Sequence, residues 1–156
     1  MLYELGFDDG IKRVKKGGFF NSDHNKQARG ILHQYEMVER QGQKLVIDHT
    51  TGLAWQQSGS PNPMAYPDAE KYVDALNGQR FADYTDWRLP TLDEAMSLME
   101  LEEKNGDLHI DSVFDGTQTM IWTADQSGGE VWEVHFFNGT CEIYPQGRHY
   151  YVRAVR

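Results

Sequence analysis

Asn138-Gly139 stands between two apolar runs, EVWEVHFF (130–137) and TCEIY (140–144). Asn-Gly tolerates the positive φ angles that a tight turn needs, and between apolar runs it is the strongest short hairpin signal. The runs alternate in the way a half-buried strand does. A chain with this feature must build an antiparallel sheet near its end. MIWTA (120–124) before it and HYYVRAV (149–155) after it read as further strands, with PQGR (145–148) as a turn.

Upstream, the pattern is different. ILHQYEMV (31–38), KLVID (44–48) and LAWQQS (53–58) read as strands, with a turn at HTTG (49–52). PDAEKYVDALNG (67–78) reads as a helix. Pro67 and Asp68 suit a first turn, and Asn77-Gly78 suits an end. Ala69, Tyr72, Val73 and Leu76 share one face. Thr91 and Glu94 form the T-x-x-E of a capping box, which starts a second helix expected to run to about Leu101. Residues 1–30 are polar and glycine-bearing and read as an irregular N-terminal arm, leaving 31–156 as one domain. No internal repeat is visible. Strands, two helices and then more strands argue for an α+β fold, with two helices packed on small antiparallel or mixed sheets.

The chain has 156 residues, the size of a single domain. Residues 45–156 hold seven basic and eighteen acidic side chains, a net of −11. Such a body repels phosphate backbones, so nucleic acid is not an expected partner. No run approaches the roughly 20 apolar residues of a membrane span. The opening MLYELGFDDGIKRVKK lacks a signal-peptide core. That leaves a cytosolic protein, a piece of a longer chain, or a chain whose leader has been removed. The single cysteine, Cys141, rules out an intrachain disulfide and multi-cysteine zinc sites.

Several residues are candidates for chemistry. Asp86-Trp87-Arg88 could frame a substrate between a carboxylate and a guanidinium. The capping box that follows favours a corner brace, with Asp86, Trp87, Arg88, Thr91 and Glu94 all structural. Asp107, Asp111 and Asp115 form a spaced acidic series, and calcium favours several oxygens on a flexible segment. Their spacing is not that of an EF-hand, and local turns account for them equally. Histidines 24, 33, 49, 109, 135 and 149 form no H-E-x-x-H zinc motif. Cys141 has no activating partner nearby in sequence and reads as a core residue. The segments DQSGGE (125–130) and PQGRHY (145–150) are polar and border strands, where binding residues often lie. Asp125, Gln126, Glu130, Trp132, Tyr144, Arg148 and Tyr150 are the ligand-binding candidates.

In order along the chain stand Asp48-His49-Thr50-Thr51-Gly52-Leu53-Ala54-Trp55, Asp86-Trp87-Arg88-Leu89-Pro90-Thr91 with Glu94, Ile121-Trp122-Thr123, Val131-Trp132, Phe136 with Asn138-Gly139, and the closing YVRAVR (151–156). This set resembles the Lcl C-terminal domain family over about residues 45–156. The resemblance implies a variant of the C-type-lectin-like fold, shared with formylglycine-generating enzymes, in which the first and last strands pair. It also implies binding of sulfated polysaccharide by some members. Family members often carry cysteine where this chain has Ala154, so a disulfide-bearing secreted form is not expected. Formylglycine-type oxidation needs two cysteines. The expected function is therefore a non-catalytic module binding a polysaccharide or a protein through surface loops. An enzyme distantly like the formylglycine-generating group, or a sensory or structural module of a larger protein, is the alternative.

Overall fold

The computed structural model describes residues 32–156. The arm expected over residues 1–30, with His24, lies outside them. The fold is mixed α and β, with two three-stranded antiparallel sheets and two helices. The first sheet contains β1 (Tyr35–Arg40), β2 (Gln43–Asp48) and β3 (Leu53–Gln56) in that order. Helices α1 (Tyr66–Gly78) and α2 (Leu92–Ser97) follow. The second sheet contains β4 (Met120–Ser127), β5 (Glu130–His135) and β6 (Thr140–Pro145).

Both sheets use one turn plan that the sequence does not advertise. Each begins with a two-residue turn at positive φ, Gln41-Gly42 in the first and Gly128-Gly129 in the second. Such turns match the twist of the flanking strands. Each then uses a four-residue loop ending on a left-handed glycine. The Gly52 N–H donates to the Asp48 carbonyl at 2.8 Å, and the Gly139 N–H donates to the His135 carbonyl at 2.9 Å. The hairpin expected at Asn138-Gly139 is therefore a four-residue loop, because Phe136 leaves the ladder and buries its ring.

Helix α1 buries Tyr66, Ala69, Val73 and Leu76 on one stripe. Burying Val73 and Leu76 contributes about 1.5–3 kcal/mol each. Helix α2 is shorter than expected. It stops at Ser97 because the Glu100 N–H turns away to the His109 carbonyl at 2.8 Å, and Leu101 lies exposed. Strand β1 starts later than expected, at Tyr35, and runs on to Arg40. His33, just before it, bridges to Asp48 Oδ2 and to the Ser97 carbonyl, each at 2.6 Å. Both ring nitrogens thus face acceptors, which ties the lead-in to β2 and α2.

The core has two clusters, one on each side of the sheets. Val46, Ile121, Trp132 and Val134 face the cluster that holds Trp55, Met96 and Phe114. Their strand neighbours Leu45, Trp122 and Val131 face the cluster that holds Tyr66, Leu76 and Trp87. The alternation of Cβ directions makes this division.

Residues 149–155 do not form the expected strand. They are zipped between the two sheets by bonds to several partners. Ala54 and Arg156 exchange backbone bonds at 2.8 and 2.9 Å, and Met64 and Tyr150 do so at 2.8 and 3.1 Å. On the other flank the Trp122 N–H donates to the Tyr151 carbonyl at 3.0 Å. Arg153, fully buried, donates through Nη2 to the Asp115 carbonyl and to Gln118 Oε1, both at 2.9 Å.

Candidate functional site

The corner between α1 and α2 is built from its own side chains. Asn77, near the end of α1, accepts from the Trp87 N–H at 2.7 Å and donates to the Trp87 carbonyl at 2.9 Å. The indole is buried, and its Nε1–H donates to the Phe81 carbonyl at 2.9 Å. Arg88 grips both oxygens of Glu94 at 2.7 Å each. Glu94 also accepts from the Thr91 N–H while Thr91 Oγ1 accepts from the Glu94 N–H, which closes the capping box. Burial pushes the Glu94 carboxyl up, but the Arg88 and Thr91 bonds outweigh it and hold it below the usual range. Asp86 accepts from Arg156 Nε at 2.6 Å, and the Arg156 guanidinium lies 3.6 Å from the centre of the Tyr84 ring. The polar groups of Asp86, Trp87, Arg88, Thr91 and Glu94 are thus engaged within the protein.

The ligand-binding candidates divide. The segment 125–130 is not an open loop, because β4 runs to Ser127 and pairs Gln126 with Val131 and Ser127 with Glu130. Asp125 points at α2 and accepts from the Leu92 N–H at 2.5 Å, serving the first turn of that helix. Trp132 is a correction. It is 2% exposed and packs in the cluster with α2, on the face of the sheet that α2 covers, so it cannot meet a ligand from solvent. Glu130 is exposed at the hairpin tip, opposite Pro145.

Gln126, Tyr144, Arg148 and Tyr150 come together at one end of the second sheet. The half-buried Tyr144 ring tilts against Tyr150 at 5.6 Å. Tyr150 meets Trp122 edge-on at 4.8 Å, and Trp122 meets Tyr66 at 5.5 Å. The exposed Arg148 guanidinium lies 5.3 Å from the Tyr144 ring centre. Gln126 Nε2 donates to the Tyr66 hydroxyl at 3.3 Å, and Gln146 Nε2 donates to the Gly129 carbonyl at 3.1 Å. Burial, reinforced by Glu133, pushes the Tyr150 hydroxyl up to about 12. The result is an aromatic row with one half-exposed ring, edged by two amides and a guanidinium.

Sequence reasoning missed two members of this face. Glu133 and Glu142 stand directly opposite each other on β5 and β6, and the Tyr144 hydroxyl donates to Glu142. Burial lowers the His135 ring below its ordinary value while Glu142 opposes the shift. The only signal was the alternation of Val131, Glu133 and His135 with Trp132 and Val134. The pairing of the two glutamates needs the strand register. Also missed was a cleft bounded by the β1–β2 turn, the end of β3 and α1. Its residues lie far apart in the chain.

The acidic series does not converge. Asp111 Oδ1 accepts from the Val113 N–H and Asp115 Oδ1 from the Thr117 N–H, both at 2.8 Å, so each closes its own turn. Asp107 is exposed. Among the described residues no three His, Cys, Asp or Glu side chains are gathered to hold a metal ion. Cys141 is buried in the core. No helix among the described residues is long and apolar enough to cross a membrane.

Compared with known proteins, residues 44–156 match the family model described as Lcl C-terminal domain. No curated protein matches the chain.

Proposed function

The chain belongs to the Lcl C-terminal domain family, and from that premise we propose that it is a non-catalytic binding module of C-type-lectin-like type. The ligand, a polysaccharide or a protein segment, meets the end of the second sheet at Gln126, Glu130, Tyr144 and Arg148, with the buried Tyr150 as the backing of Tyr144.

One observation carries the proposal: Tyr144 is half-buried, backed by Tyr150 and Trp122, with the exposed Arg148 guanidinium over its ring. A ring fixed in this way offers a stacking face with little entropy to lose, and the guanidinium and amides supply directed donors. Glu130 stands exposed at the hairpin tip and Glu142 accepts from the Tyr144 hydroxyl, so a densely sulfated chain is repelled and a neutral glycan or a mixed-charge protein segment is favoured.

The test is a glycan array and a pull-down with the full chain beside its Tyr144→Ala and Arg148→Ala variants. Binding is expected to fall at least tenfold in Tyr144→Ala. A ligand that binds both variants as well as the parent chain would overturn the proposal.

A further inference from the structure

A cleft of about 300 Å³ opens between the β1–β2 turn, the end of β3 and helix α1. Gln56 lines it and is 3% exposed. Its Oε1 accepts from the Ala154 N–H at 2.9 Å and its Nε2 donates to the Tyr72 hydroxyl at 3.0 Å. An amide nitrogen carries two hydrogens, so one remains beyond the Tyr72 bond. The Tyr72 hydroxyl accepts from Gln56, which leaves its own hydrogen to donate. Burial pushes that hydroxyl up, only partly offset by Gln56, so it keeps its proton. Gln57 is anchored by a bond to the Val113 carbonyl at 3.1 Å, while Gln43 and Lys44 stand exposed at the rim.

The walls are held at some cost. Phe81 lines the cleft from a 3₁₀ turn in which Arg80, Ala82 and Asp83 have φ of 53°, 53° and 65°. None is glycine, and non-glycine residues held at positive φ are strained and cluster at ligand clamps. Opposite, Gly59 lies so close to the closing segment that a Cβ there would sit 2.3 Å from the Val152 carbonyl oxygen.

We propose that this cleft binds one neutral sugar ring. It goes beyond the tyrosine end of the second sheet and shares no residue with it. The rings of Tyr72 and Phe81 suit the apolar face of a sugar, and the planar amides and the Tyr72 hydroxyl suit its ring hydroxyls. The volume lies at the small end of ligand sites and fits a ligand smaller than a drug. None of the lining residues is acidic, although residues 45–156 carry a net of −11. Lys44 is the sole lining cation, and the acidic body around it weakens its pull on an anion, so it serves as a donor to hydroxyl oxygen.

Saturation-transfer NMR on the full chain tests this, with D-glucose, D-galactose, D-mannose and N-acetyl-D-glucosamine as probes and D-glucuronate as the charged comparison. At least one neutral sugar is expected to receive saturation and to shift the ring protons of Tyr72 and Phe81. Tyr72→Phe keeps the ring and removes one donor, and it is expected to weaken binding about five- to tenfold. Gln43→Ala changes an exposed side chain at the first residue of β2, does not threaten folding, and is expected to weaken it severalfold. Silence from every neutral sugar overturns the proposal, as does preference for glucuronate, shifts at Tyr144 instead of Tyr72, or full binding by both variants. Loss of glycan-array binding in Tyr144→Ala bears on the sheet-end reading alone and leaves this one standing.

Discussion

Arg88 and Glu94 meet in a two-pronged contact, Nη1 to Oε1 and Nη2 to Oε2, both at 2.7 Å. The same carboxylate closes the capping box of α2 through the Thr91 N–H at 2.8 Å. One side chain therefore fixes both the start of a short helix and the strand segment that pairs with Val155. Glu94→Ala is expected to cost about 1–2 kcal/mol, the range of a lost helix cap with part of an exposed ion pair. Arg88→Ala is expected to cost less, because its side chain is half in water. Urea midpoints of the two variants check this. Equal losses would mean that the fork, not the cap, matters.

Gly59 and Gly78 are expected to respond in opposite directions to the same change. A Cβ at Gly59 would meet the Val152 carbonyl oxygen at 2.3 Å and Gln118 Cγ at 3.0 Å. That carbonyl cannot retreat freely, since it accepts from the Ser60 N–H at 2.8 Å. Gly59→Ala is therefore expected to destabilise by about 1–3 kcal/mol, as overpacking does. A Cβ at Gly78, the last residue of α1, meets nothing within 4 Å. Gly78→Ala is expected to stabilise by about 0.4–1 kcal/mol, through lost freedom in the unfolded chain. Thermal melts of both variants decide the matter.

The helices and most of the strands were legible because their signals are local. Pro67, the stripe from Ala69 to Leu76, and T-x-x-E each act within one or two turns. The closing segment was not legible as it stands. Its apolar run looks like a strand, yet its backbone bonds go to Ala54, Met64, Arg88 and Met120, which no single ladder could join. The same limit explains Trp132. Period-two alternation says that Val131 and Trp132 face opposite ways, but both faces of this sheet are covered, and one stretch of sequence cannot show that. Nothing in DQSGGE marks Gly128-Gly129 as a tight turn, because two glycines permit an open loop as readily. Tyr144, Arg148 and Tyr150 lie close in the chain, so their grouping was legible. The cleft draws on residues from Gly42 to Phe81, and nothing short-range marks it.

Cys141 bears on whether a cysteine-based enzyme could hide in this fold. It is 0% exposed, on β6 opposite Val134, in the cluster that holds Trp55 and Met96. A thiol acts as a nucleophile when it is accessible and its thiolate is stabilised. Ellman's reagent is expected to leave the native thiol unreacted and to titrate it once guanidinium unfolds the chain. Rapid labelling of the native protein would return the cysteine enzyme to consideration.

Acid should unfold this domain through a few identified carboxylates. Burial pushes Asp48 up, but bonds from Thr51 and His33 outweigh it and leave it below its ordinary 3.8. Glu94 lies below its ordinary 4.5 for the reason given above. The Thr117 bond lowers Asp115, and the Arg156 bond lowers Asp86. A carboxyl with a depressed folded value stabilises fully above its unfolded value, and that stabilisation drains away as pH falls through the folded value. Asp93 runs the other way. Burial, then Asp125 and Glu94, raise it, so its protonation in acid relieves the folded state. Four lowered groups oppose one raised group, and the melting temperature is expected to hold near neutrality and fall once pH drops below about 4. Asp48→Asn should lower the melting temperature at neutral pH, because it breaks a buried bond to His33, and should flatten the acid decline. A decline as steep as that of the parent chain would show that Asp48 takes no part in it.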